Sequence, residues 1–337
     1  MTKVSVEHED ITAGPQAGNP AGSLKELIES ELYMPFPPLR NPHESEAAAG
    51  VEEWLRSWGL TDDPAVAAMI ARTRPAELAS YNSPTMDAGV LRIVANQIAY
   101  QFVFDDRAEE IGRRRPSSLL PMLCESVGIL RDGRPPTTPL GAALFDLQRQ
   151  VEERCTPDQA ARWAWHGREY VHGLLYEAVA QTDPPRIRVG LCGSIRSLTA
   201  GVEPFYPLCE AAQPHELSPD ELWHPAMRRL RRLSADAAVW IPDLFSAVKE
   251  QREGGVINLA LAYAREQHCT LPQAVRLAIG RINRTIGEFE RLAERIRPRS
   301  SPAALGYVDG MAGWIRGCYY WSRDVPRYAD TAAAPAG

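Results

Sequence analysis

Apolar residues in this chain recur every three to four positions. Leu140, Leu144, Leu147 and Val151 mark one helical face, and Ile279, Ile282, Ile286 and Phe289 mark another, with Arg and Glu on other faces. No run alternates apolar and polar residues long enough to specify a strand, so the pattern predicts an all-α fold. Proline and glycine interrupt the periodicity at Arg115–Ser118, Asp132–Pro139, Asp183–Pro185, Gly254–Gly255 and Arg297–Pro302. None of these breaks is long or polar enough to link two domains, and no internal repeat is visible. The expectation is a single bundle of roughly ten helices. A chain of 337 residues, 45% of them hydrophobic, can bury the core that such a bundle needs.

Residues 1–22 are rich in Gly, Pro and small polar residues and read as a disordered tail, as do residues 331–337, leaving 23–330 as the helical domain. Met34–Asn41 holds three prolines and reads as an extended lead-in packed on the body. The formal charge of -6 argues against a nucleic-acid partner. Arg113–Arg115 and the cluster Arg228, Arg229, Arg231 and Arg232 read as solvated faces or loops. Six scattered cysteines suit neither a disulfide framework nor a zinc site and point to a reducing cytoplasm. The polar N-terminus lacks the apolar core of a leader, and no apolar stretch nears the ~20 residues that span a bilayer. A soluble protein with no membrane span is expected.

Four segments could carry chemistry. Phe102-Val103-Phe104 leads into Asp105-Asp106-Arg107-Ala108-Glu109-Glu110. If the preceding helix continues, Asp105 and Glu109 share a face, and Asp106 and Glu110 form a second such pair. Like charges at that spacing repel by a few tenths of a kcal/mol, roughly, unless a hard cation compensates. A solvated acidic face is the bland alternative. Ser246 and Glu250, with Lys249 beside them, form a second oxygen-bearing face, equally readable as an amphipathic helix end. Arg196 stands in a stretch poor in charge, one turn before a helix break at Gly201 and Pro204. A buried arginine needs an anionic partner, either a diphosphate or a protein carboxylate such as Glu203. Arg327-Tyr328, finally, could donate to phosphate or pack on the surface.

Taken together and in this order, the segments resemble the bacterial class I terpene synthases, from Met34-Pro35-Phe36 to Arg327-Tyr328. Asp105, Asp106 and Glu109 resemble the family's aspartate-rich motif. Asp243 to Glu250 resembles its second metal motif, with Ser246, Lys249 and Glu250 in register. Arg196, Thr199 and Ala200 match the diphosphate sensor, linker and effector positions, with Gly201 beside them, and Trp314 and Arg327-Tyr328 fit the C-terminal helix and its closing pair. The resemblance implies the α-helical terpenoid synthase fold. It also implies three magnesium ions, with manganese as a substitute, and a prenyl diphosphate substrate, and it allows a homodimer. Metal ligands would be Asp105, Asp106, Glu109, Asp243, Ser246 and Glu250; diphosphate would meet Arg196, Lys249, Arg327 and Tyr328. Tyr100, Phe102, Trp314, Tyr320 and Trp321 are candidates to stabilise a carbocation by their π faces. The implied reaction ionises a linear substrate, the C15 diphosphate ahead of the C20, and cyclises it to a terpene hydrocarbon or alcohol with release of diphosphate.

Two positions depart from the pattern: the first motif ends in Glu109-Glu110 rather than Asp, leaving open which glutamate acts, and the second motif lacks its first ligand. Four residues before Ser246 the family has Asn or Asp, and this chain has Pro242, which carries no side-chain oxygen. Asp243 could swing in, a water could complete the shell, or the protein could be a catalytically impaired isoprenoid-binding relative.

Overall fold

Proline and hydroxyl side chains decide where most of the helices begin. Proline stands in the first turn of many, where its missing N–H costs nothing. Thr138, Thr156, Ser218 and Ser301 accept hydrogen bonds from the first-turn amides of the helices they precede, as do Asp87 and Asn258. The computed structural model describes residues 23–113 and 115–328. The tails expected at 1–22 and 331–337 lie outside the described residues.

Within them run α1 (Leu24–Glu31), α2 (Glu44–Ser57), α3 (Pro64–Thr73), α4 (Pro75–Asn82) and α5 (Ala88–Gly112). Then come α6 (Leu120–Asp132), α7 (Pro139–Arg154), α8 (Pro157–Ala180), α9 (Val189–Thr199) and α10 (Tyr206–Ala211). The last five are α11 (Pro219–Leu222), α12 (Pro225–Glu253), α13 (Leu259–Gln267), α14 (Leu271–Ile296) and α15 (Pro302–Asp324). No strand occurs among the described residues. Fifteen helices exceed the roughly ten expected, because α1, α4, α10, α11 and α13 have nine residues or fewer. An apolar face barely repeats over that length, so periodicity passes over them.

The predicted apolar faces are buried: Leu144, Leu147 and Val151 on α7, and Ile279, Ile282, Ile286 and Phe289 on α14. Around the centre, α12 packs on α14 and α15, α15 on α4, α5 on α2 and α4, and α8 on α9. The α4–α15 contact is backbone-close: a Cβ at Gly313 would overlap the Asn82 carbonyl, and one at Gly317 the Asn82 side chain. Phe36 of the proline-rich lead-in meets Phe289 edge-on at 6.1 Å. Arg231 is a correction to the solvated reading of its cluster, since it is largely buried and pairs with Glu203 at 3.3 Å. The six cysteines are free, and no described helix is long and apolar enough to cross a membrane.

Candidate active site

Helices α5, α8, α9, α12 and α15 enclose a cavity of about 500 Å³, together with the turn at Pro326–Tyr328. Part of its wall is aromatic. Phe102 stacks on Trp321 at 5.7 Å, Phe205 lies against Trp314 at 4.3 Å, and Trp321 meets Tyr328 edge-on at 5.7 Å. The Trp321 ring is fixed by its Nε1, which donates to the Thr73 carbonyl at 2.7 Å.

The rest of the wall is charged. Because α5 is unbroken from Ala88 to Gly112, Gln101, Asp105 and Glu109 stack on one face at four-residue spacing and all line the cavity. Tyr170 of α8 donates to Asp105 Oδ1 at 2.6 Å. Burial pushes the Asp105 carboxyl up to about 7, against the pull of the Tyr170 hydroxyl. Asp106 lies 3.9 Å from Arg327, whose guanidinium also covers the Phe102 ring at 5.4 Å. Glu109 accepts from Arg113 at 2.6 Å and lines the cavity, whereas exposed Glu110 pairs with Arg107 away from it. Opposite, α12 contributes Ser246, Lys249 and Glu250. Burial, then the charge of Asp243, raises the Glu250 carboxyl to about 7.

Asp243 is not on the cavity wall. It is fully buried, its Oδ1 accepts from Arg196 Nη2 at 2.7 Å and Nε at 3.1 Å, and its Oδ2 accepts from the Leu259 amide at 2.8 Å. Both oxygens are held by protein donors, and the structure does not bring Asp243 to the wall with the other expected ligands. Arg196 thus finds its partner in Asp243, not in Glu203. Pro242 does line the cavity and sits inside a continuous α12. Thr199 and Ala200 line the cavity beside Arg196. Gly201 does not: it turns the chain at φ +59°, and its carbonyl accepts from Gln101 Nε2 at 3.0 Å. Two of the expected aromatics also face elsewhere. Tyr100, two residues before Phe102, is rotated by about 200° around the helix and packs on Phe104. Tyr320, one residue before Trp321, stacks on Tyr81 at 6.0 Å and donates to the Phe36 carbonyl at 3.3 Å.

Motif spacing does not single out Gln101, Tyr170, Glu177 or Phe205. Of these, Gln101, Glu177 and Phe205 line the cavity, and Tyr170 grips Asp105. Glu177 had a visible signal, being a lone carboxylate within Val171–Ala180, a stretch otherwise rich in apolar residues. Its carboxyl is raised by burial, opposed by Arg196 and the neighbouring Thr199 hydroxyl.

No group of three or more His, Cys, Asp and Glu residues among the described residues is clustered tightly enough to hold a metal ion unaided. The donors present are carboxylates and a hydroxyl on facing helices, which suits a hard cation shared with substrate oxygens. Charge supports the same fit. Asp105, Asp106, Glu109, Glu177, Glu250 and Glu253 line the cavity against Arg113, Arg196, Lys249 and Arg327. Six acids against four bases leave two negative charges when all are ionised, so an anionic ligand here would need added cations.

Comparisons with known proteins place relatives beside this chain. A family model described as "Terpene synthase family 2, C-terminal metal binding" matches residues 97–288. The (-)-alpha-amorphene synthase of Streptomyces viridochromogenes, described as cyclizing (2E,6E)-farnesyl diphosphate, is 72% identical over the whole of both chains. The crystal structure of germacradien-4-ol synthase from Streptomyces citricolor matches with TM-score 0.76 and 27% identity, over 87% of this chain and 98% of that one. A mutant of the SVS_A2 protein from ancestral sequence reconstruction shares the fold at TM-score 0.80, with 23% identity over 88% and 89% of the chains.

Proposed function

The chain belongs to the terpene synthase family, and on that premise we propose that it ionises farnesyl diphosphate and cyclises it to a sesquiterpene hydrocarbon. The observation that carries this reading is one cavity with both a charged lining and an aromatic lining. A prenyl diphosphate has the same two halves. The 72% identity to a farnesyl-diphosphate-cyclizing amorphene synthase favours the C15 chain over the C20 and makes α-amorphene the first product to seek. The impaired-relative reading of Pro242 gains no support from that similarity.

Arg196, Lys249, Arg327 and Tyr328 would bind the diphosphate oxygens, with Arg196 held ready by Asp243. Asp105, Asp106, Glu109, Ser246 and Glu250 would hold magnesium, three ions by the resemblance and manganese as a substitute. When bound, the metal supplies the positive charge that lets diphosphate depart with the C–O bonding pair. The allylic cation left behind would be attacked by a distal double bond of the same chain, and proton loss would end the sequence. Phe102, Phe205, Trp314 and Trp321 would offer π faces to the migrating charge. Arg327 and Tyr328, packed on Phe102 and Trp321, would keep water away from it. The free cysteines fit a reducing cytoplasm. The test is incubation of the purified chain with farnesyl diphosphate and magnesium, then gas chromatography–mass spectrometry of the extract. A cyclic C15 hydrocarbon absent from a chelator control is expected, and farnesol alone would refute the reading.

A further inference from the structure

We propose that Glu177 supplies, from α8, the cation-ligating oxygen that Pro242 withholds from α12. The inference rests on the metal-dependent reading of this site. Pro242 lines the cavity one turn before Ser246 and two before Glu250, where a side-chain oxygen would complete a row of three. Its neighbour Asp243 is not on the cavity wall, and Arg196 and the Leu259 amide hold its two oxygens. Magnesium binds six oxygens in near-octahedral geometry, so the missing donor must come from another element or from water.

Glu177 is the lining carboxylate that neither α5 nor α12 carries. Gly173, one turn before it, brings α8 against the α9 backbone: a Cβ there would stand 2.7 Å from Leu198 Cβ and 3.1 Å from Thr199 N. That close approach sets Glu177 beside Thr199 and Arg196 on the cavity wall. From there it acts electrostatically on Asp105 of α5 and on Glu250 of α12, and feels Glu109 and Asp243 in return. It therefore lines the same cavity as the carboxylates of α5 and α12. Arg196, the cation next to it, already commits Nε and Nη2 to Asp243. A bound cation relieves this excess of negative charge, whereas a purely structural counter-ion to Arg196 would be indifferent to what occupies position 242.

The experiment is Mn²⁺ binding to the full chain, followed by electron paramagnetic resonance in the presence of inorganic diphosphate. It is run on the unmodified protein, Glu177→Gln, Pro242→Asn and the double variant, with circular dichroism melts to verify folding. Glu177→Gln should lose one diphosphate-dependent Mn²⁺ or weaken it about tenfold or more, and adding Pro242→Asn should restore it. Glu177→Asp, which keeps the charge on a shorter stem, serves if Glu177→Gln does not fold, with the same weakening and the same rescue expected. Unchanged Mn²⁺ binding in the folded Glu177 variant, or no rescue by Pro242→Asn, overturns the proposal. Absence of diphosphate-dependent Mn²⁺ binding in the unmodified protein would refute the metal-dependent reading itself, and this proposal with it.

Discussion

Arg196 and Asp243 form a buried, two-donor ion pair, with Nη2 and Nε at 2.7 and 3.1 Å from the same carboxylate oxygen. The other oxygen accepts the first amide of α13 at 2.8 Å. One side chain therefore ties three helices together: α12, which carries it, α9 through Arg196, and α13 through Leu259. It also aims the arginine that would meet diphosphate. Removing one partner of such a pair leaves an uncompensated buried charge.

Asp243→Ala is accordingly expected to cost about 3–5 kcal/mol of stability and nearly all turnover. Asp243→Asn should lose turnover while keeping Mn²⁺ affinity in any fraction that remains folded. Thermal melts and metal titration separate the two effects. A folded Asp243→Asn protein with weakened Mn²⁺ binding would return Asp243 to the role of ligand.

Tyr170→Phe removes one hydroxyl, the donor to Asp105 at 2.6 Å. Partners of this kind orient a metal-binding carboxylate, and their loss costs about 10–100-fold in affinity or activity. The ring keeps its packing, so stability should change by only about 1 kcal/mol. Steady-state rates at several magnesium concentrations, with a thermal melt, test both halves.

Gly313→Ala addresses the packing beneath the aromatic wall. The added methyl would overlap the Asn82 carbonyl, which is backbone and unable to rotate away. Overpacking of this type costs about 1–3 kcal/mol, and the rigid neighbour puts the expectation at the upper end. Denaturant unfolding measures it, and a shift below about 0.5 kcal/mol would mean the α4–α15 contact is looser than described.

Acid stability should depend on Glu221. Its carboxylate accepts from Ser301, the N-cap of α15, and from Ser218, the N-cap of α11, holding it down to about 2. A lowered carboxyl stabilises the fold fully above its unfolded value of 4.5, and that contribution fades as pH falls from there through about 2. Glu221→Gln should therefore lower the melting temperature at pH 7 and flatten its decline between pH 5 and 3. Equal slopes for the two proteins would contradict the assignment.

What the sequence disclosed was periodic or local. The faces of α7 and α14 follow from spacing alone; four-residue intervals put Asp105 with Glu109 on α5 and Ser246 with Glu250 on α12, and the family resemblance joins the two pairs into one site. What it concealed depends on partners from other helices. Tyr170 matters because α8 crosses α5 at Asp105, and Glu177 because Gly173 brings α8 onto α9. Asp243 looked like a ligand from its position beside Pro242, and only the approach of Arg196 and Leu259 assigns its oxygens. Tyr100 and Tyr320 differ from their cavity-lining neighbours by rotation around the helix axis, which requires knowing which side is enclosed.

A chain-length comparison tests whether one cavity both removes diphosphate and folds a C15 chain. The purified chain is incubated separately with the C10, C15 and C20 diphosphates, with magnesium and with chelator, and the extracts are analysed by gas chromatography–mass spectrometry. A cyclic C15 hydrocarbon from farnesyl diphosphate is expected, strictly dependent on the metal and formed at higher turnover than product from either other chain. Cyclic product from none of the three, or product undiminished by chelator, would contradict it.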